Sequence, residues 1–155
     1  MSEIFTTVFE IVGKVRKGTE SCAKKLEGFE TRAEDAPTLL SQGLTQAVTF
    51  YLYKVENLEN LRRVYCSLFD SEEGCKNVEK GNVCSSLDDE GYLLYTSTLF
   101  YLLRELKVDC EITELQNNLN MCIKEISENE AKIYRKLINY VIELKKVSKI
   151  LISKT

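Results

Sequence analysis

The chain predicts an all-α fold: a compact helical bundle of about six helices that ends in a long basic C-terminal helix. Apolar residues recur at three- and four-residue steps through nearly every segment, and no stretch shows the alternation of a half-buried strand. Breakers are scarce, with one proline and seven glycines in 155 residues. That length suits a single domain, 1–155, large enough to bury a real core.

The elements follow in order. The first helix is expected from about Ser2 to Lys17, with Phe5, Val8, Phe9, Val12 and Val15 on one side and Gly18 as its stop. A second covers about Glu20 to Glu34, where Cys22, Leu26, Phe29 and Ala33 share a face. The third runs from Pro37 to about Val55. Pro37 suits its first position, where a missing N–H is not needed, with Asp35 upstream as a cap. Leu40, Leu44, Ala47 and Tyr51 mark its apolar face, widened by Leu39 and Phe50. Gly43 then falls in the helix interior, where glycine costs about 1 kcal/mol relative to alanine. The missing Cβ there points to a close approach by another backbone, a helix or a nucleic-acid strand.

A fourth helix spans about Leu58 to Phe69 over Leu61, Val64, Tyr65 and Leu68. Asp70–Ser86, with Gly74, Gly81 and alternating charges, is the one long loop. Ser86 and Asp89 resemble a capping box ahead of a fifth helix from about Leu87 to Lys107, apolar on most sides and so central in the bundle. Beyond Val108-Asp109-Cys110 the apolar stripe from Leu119 to Leu151 resumes, with a possible break near Asn117-Asn118. If continuous, it would be about 50 Å long, more than one small domain needs.

Net charge is −3, too small for a wholesale nucleic-acid coat, but its distribution is uneven. Residues 131–155 carry Lys132, Arg135, Lys136, Lys145, Lys146, Lys149 and Lys154 against Glu143 alone. A second basic group, Lys14, Arg16, Lys17, Lys24 and Lys25, sits where the first helix gives way to the second. Such groups can grip phosphates without reading bases, while the acidic remainder meets basic protein neighbours. Solvated helix ends, with lysines favoured by the C-terminal dipole, are the plainer account. Tyr51, Tyr53, Tyr134 and Tyr140 can stack on bases, although tyrosines at helical spacing more often belong to the core.

Catalysis is not expected. The chain has no histidine, which removes the commonest general base and metal ligand. Asp88-Asp89-Glu90 is the only tight carboxylate cluster, and adjacent helical residues diverge rather than converge on a metal. No phosphate-binding glycine loop is present, and no cofactor is implied. The six cysteines form no C-x-x-C pair, so a zinc site is not expected. Cys75 and Cys84 bracket part of the loop and are the candidates for a disulfide, which a cytosolic protein keeps only in a hyperthermophile. Otherwise the cysteines serve as small buried hydrophobes. No run of 18 uncharged apolar residues occurs, and the start Met1-Ser2-Glu3-Ile4 lacks a basic segment followed by an apolar one. A cytoplasmic protein with no membrane partner is the expectation.

Three segments resemble one family. Pro37, the aliphatic pair Leu39-Leu40, Gly43-Leu44, Gln46, Ala47 and Phe50 are similar to the signature of the small subunit of the Cmr complex, the type III-B CRISPR effector that targets RNA. Gly91–Glu105 resembles the aromatic, leucine-rich central helix of that family, and about Asn129 to Lys149 its long basic-aliphatic C-terminal helix. The six cysteines and Asp70–Ser86 depart from the pattern. The resemblance implies a non-catalytic structural subunit of an antiviral ribonucleoprotein. In that family, copies stack into a filament along the guide RNA–target RNA duplex beside the other Cmr subunits. Pro37, Gly43, Leu44, Gln46 and Phe50 carry the motif, with Gly43 and Gln46 nearest a partner. A helical protein–protein adaptor without RNA binding is the first alternative. The second is a small hydrolase using Asp88 or Asp89.

Overall fold

The computed structural model of the chain describes residues 3–55, 57–69, 73–76, 78, 83–85 and 90–154. All the regular structure in them is helical: α1 Glu3–Gly18, α2 Ala23–Ser41, α3 Leu44–Lys54, α4 Leu58–Leu68, α5 Tyr92–Glu105, α6 Leu115–Glu128 and α7 Glu130–Ser148. Short 3-10 turns lie at Glu73–Cys75, Val83–Ser85 and Ile112–Glu114, and a π-helical turn, Lys149–Ser153, extends α7.

α5 is the centre, as its composition predicts. Leu93, Leu94, Tyr95, Leu99, Phe100, Leu102 and Leu103 are all buried, so the helix has almost no solvent face. α2 and α4 pack on it, while α7 lies in a groove formed by α1 and α2. Along α2 and α3 the contacts of α7 run antiparallel to sequence. Glu130 accepts from the Thr45 N–H at 2.7 Å, Lys149 pairs with Glu34 at 3.9 Å, and the Ser153 hydroxyl donates to the Glu30 carboxylate.

Three helix boundaries correct the sequence reading. Pro37 does not open a helix; it lies inside α2, which continues to Ser41. Gly43 is not interior either. Its φ of +145° is reachable at low cost only without a Cβ, and it breaks the chain between α2 and α3. The Gly43 carbonyl accepts from Ala47 N–H at 2.9 Å to start α3. Because glycine offers no capping side chain, the Glu130 carboxylate of α7 does that work at the α3 N-terminus, where it also opposes the helix dipole. The long C-terminal stripe breaks at Asn129, between α6 and α7, and not at Asn117-Asn118.

The closest backbone approach lies elsewhere, between α2 and the start of α5. A Cβ built on Gly28 would stand 2.6 Å from the Glu90 carbonyl carbon, and one on Gly91 would run into the carbonyl carbon of Gly28. The expected capping box at Ser86 and Asp89 lies outside the described residues, and α5 opens at Gly91 in the left-handed region (φ +83°).

All six cysteines are bridged: Cys22–Cys84, Cys66–Cys75 and Cys110–Cys122. Cys75 and Cys84 are therefore both in disulfides but not with each other. Cys75 ties back to the end of α4, and Cys84 ties to the turn before α2, so the segment after α4 is pinned at two points.

Candidate nucleic-acid interface

α7 arises from a simple pattern. Ile133, Leu137, Val141, Leu144 and Val147 recur at three- and four-residue steps and are buried, which turns the intervening residues outward. Lys132, Arg135, Lys136, Lys145, Lys146 and Lys149 are all exposed. At about 3.6 residues per turn, Arg135, Asn139, Ile142 and Lys146 follow the outer centre line, with Lys132 and Lys136 on one flank and Lys145 and Lys149 on the other. From Lys132 to Lys149 the stripe is about 25 Å long at a rise of about 1.5 Å per residue.

At its N-terminal end the stripe borders a cleft of about 300 Å³ lined by Lys107, Lys132, Lys136, Glu125 and Asn129. Lys107 was not among the sequence candidates. It reaches this place because it caps α5 in a left-handed conformation (φ +65°), a fold-level event with no glycine to announce it. At the other end Lys149 meets Glu34 of α2.

The first basic group is less uniform. Lys14, Arg16 and Lys17 are exposed on the last turns of α1, with the Lys14 ammonium 5.6 Å from the centre of the Phe69 ring. Lys24 is exposed at the start of α2 and engaged within the protein. Lys25 is only 4% exposed and likewise engaged, so it is withdrawn from the surface and set aside as a phosphate contact. The motif residues are mainly structural in position. Leu44 is buried, Phe50 and Pro37 are half-buried, and Gln46 is exposed in the first turn of α3. Of the four candidate stacking tyrosines, Tyr51 is buried, Tyr134 and Tyr140 are half-buried, and Tyr53 is 83% exposed. Burial raises the Tyr140 phenol pKa, and the Glu3 and Glu105 carboxylates raise it further.

A second concavity, about 410 Å³, opens where α2, α3 and the start of α5 meet, and sequence reasoning missed it entirely. Phe50 and Tyr92 meet edge-on at 6.0 Å. The Arg32 guanidinium lies 4.5 Å from the Tyr92 ring centre, and the Lys54 ammonium 5.3 Å from it. Arg32 is 3.9 Å from the Asp35 carboxylate, yet its buried Nε has no hydrogen-bond partner. The fully buried Tyr51 also leaves its hydroxyl unpartnered. Burial pushes its pKa well above the ordinary phenol range. Tyr92 and Asp35 push it the same way, and Arg32 opposes them. The i, i+3, i+7 spacing of Arg32, Asp35 and Leu39 on α2 was the available signal. It reads like any solvated helix face until α3 and α5 are placed beside it.

Among the described residues no three His, Cys, Asp or Glu side chains converge as metal ligands, and no helix is long and apolar enough to cross a membrane. Asp88 and Asp89 lie outside the described residues, while Glu90 is exposed. Comparison with protein-family models, curated proteins and solved structures returned no match.

Proposed function

We propose that the chain is a non-catalytic helical subunit that holds an RNA strand by its phosphates, in the manner of the small-subunit filament of a type III-B CRISPR complex. One observation carries the reading: five cations of α7 and Lys149 of the π-helical turn that extends it are all exposed along about 25 Å. The cations form two clusters, Lys132–Lys136 and Lys145–Lys149, and such side chains grip phosphates whatever the base, which suits a subunit lying along a guide–target duplex. The family motif from Pro37 to Phe50 supports the specific assignment. A cytoplasmic setting goes with it, and three disulfides then imply a hyperthermophilic host.

The test is RNA binding across a salt series. Affinity should fall with salt at about 0.7 log unit per neutralised phosphate. Charge reversal of Lys145, Lys146 and Lys149 to glutamate should abolish most binding while a cooperative thermal unfolding transition is retained, its midpoint lowered because the pair with Glu34 is lost and acids replace bases at the helix C-terminus. Recovery of the native protein with short guide RNAs and larger subunits would establish the complex.

Ile142 and Ile150, exposed at 39% and 56% on the same stretch of chain, favour a protein partner as the second reading. An adaptor of that kind would bind an acidic protein surface and show no salt-dependent RNA affinity.

A further inference from the structure

We propose that the cleft between α2, α3 and the start of α5 receives one unstacked guanine base from a strand lying on α7. The proposal rests on the RNA reading given above, and the cleft supplies the specificity that the α7 stripe lacks.

The argument starts from polar groups that the fold leaves unsatisfied. A buried donor or acceptor without a partner costs roughly 1–3 kcal/mol, so natural cores rarely keep one idle. Here Tyr51, fully buried, contributes an unpartnered hydroxyl, and Arg32 an unpartnered Nε, at the same cleft. Around them stand two aromatic rings, Phe50 and Tyr92, and the carboxylates of Asp35 and Glu34. The volume, about 410 Å³, is that of a small-molecule site, with mostly apolar walls and a few convergent polar groups.

The chemistry of those groups selects the occupant. The aromatic walls suit a planar heterocycle that packs against the ring edges, since Arg32 and Lys54 already lie over the faces of Tyr92 and Phe50. A guanidinium N–H and a carboxylate oxygen 3.9 Å apart form a donor beside an acceptor. That pair complements the edge of guanine, where the O6 acceptor adjoins N–H donors. Glu34 places a second acceptor at the cleft. Among the bases, guanine offers the most donors to such carboxylates beside an acceptor for arginine. A free multivalent anion is disfavoured by the same two carboxylates.

The cleft is also placed to receive a base. Glu34 lines it and pairs with Lys149, the last cation of the α7 stripe. A strand whose phosphates follow α7 therefore arrives at the cleft mouth.

The experiment measures binding of the full chain to fluorescently labelled oligouridine and to the same oligomer carrying one central guanosine. The guanosine oligomer should bind roughly tenfold to a hundredfold more tightly. Arg32→Gln and Arg32→Lys should each erase that preference, the latter because an ammonium lacks the fork, while oligouridine affinity stays as it was. Lys146→Glu should weaken both oligomers equally. Equal affinity for the two oligomers, unmoved by Arg32→Gln or Tyr92→Ala, would overturn the base site and leave the RNA reading standing. If neither oligomer binds, the RNA reading fails, and guanosine alone is titrated against the tyrosine ring resonances. Saturable shifts at Tyr51 and Tyr92 would then sustain the base site, and their absence would overturn it.

Discussion

Tyr95 sits at the middle of the core, its ring 5.8 Å from Phe29 and 5.4 Å from Tyr51, with its hydroxyl unpartnered. Burial, and next the neighbouring Tyr51, raise its pKa well above the ordinary phenol value. The sign of the pH effect follows. Unfolded tyrosine releases its proton near pH ~10, whereas the buried native phenols keep theirs. Above that pH the native state binds more protons than the unfolded chain, so these groups make stability fall as pH rises and leave it unaffected below. Each contributes a slope approaching about 1.4 kcal/mol per pH unit. Tyr95→Phe removes one of them together with its idle hydroxyl. Urea unfolding should show stability at pH 7 unchanged or up to about 1 kcal/mol higher, and an alkaline decline shallower by one proton. A large loss at pH 7 would instead reveal a hydrogen bond to that hydroxyl.

At the scale of elements, the bundle was legible in sequence because a buried stripe leaves a period. The stripe of α7 and the all-round apolar α5 follow directly from Ile133–Val147 and Leu93–Leu103. Boundaries were not legible, since they depend on partners distant in sequence. Gly43 reads as a tolerated helix glycine until its positive φ and the Glu130 cap, 85 residues away, show a break. The Arg32 cleft was hidden for the same reason: three helices make it and none contains it. The end of α5 is a further case. Val108 N–H bonds to the Leu103 carbonyl at 3.0 Å and Lys107 N–H to that of Arg104 at 2.9 Å, a Schellman arrangement with lysine at the left-handed position. A side chain there costs roughly 1–2 kcal/mol, part of which glycine recovers. Lys107→Gly should raise stability by about 1 kcal/mol, read as an increase in Tm of a few degrees.

For the whole molecule, covalent closure matters as much as packing. Cys22–Cys84 spans 62 residues and ties the α1–α2 turn to Val83–Ser85, whereas Cys66–Cys75 and Cys110–Cys122 span 9 and 12. Constraint of the unfolded chain grows with loop length, giving about 4 kcal/mol for the long closure and about 3 kcal/mol for each short one. Together these are comparable to the entire net stability of an ordinary domain, about 5–15 kcal/mol. A fully reduced chain should therefore sit near the edge of folding at moderate temperature, which confines the native state to settings that keep thiols oxidised. Replacing Cys22 and Cys84 together by alanine should cost more than replacing either short pair, as measured by denaturant midpoint at matched pH. The long bridge is also the least buried of the three, since both its cysteines are half-buried whereas the other four are at most 1% exposed. It should therefore be the first to open under a mild thiol reductant. Mass spectrometry after brief reduction and alkylation should find Cys22 and Cys84 labelled before the rest. Earlier labelling of Cys66 or Cys110 would mean that local opening, and not solvent access in the folded state, governs the order.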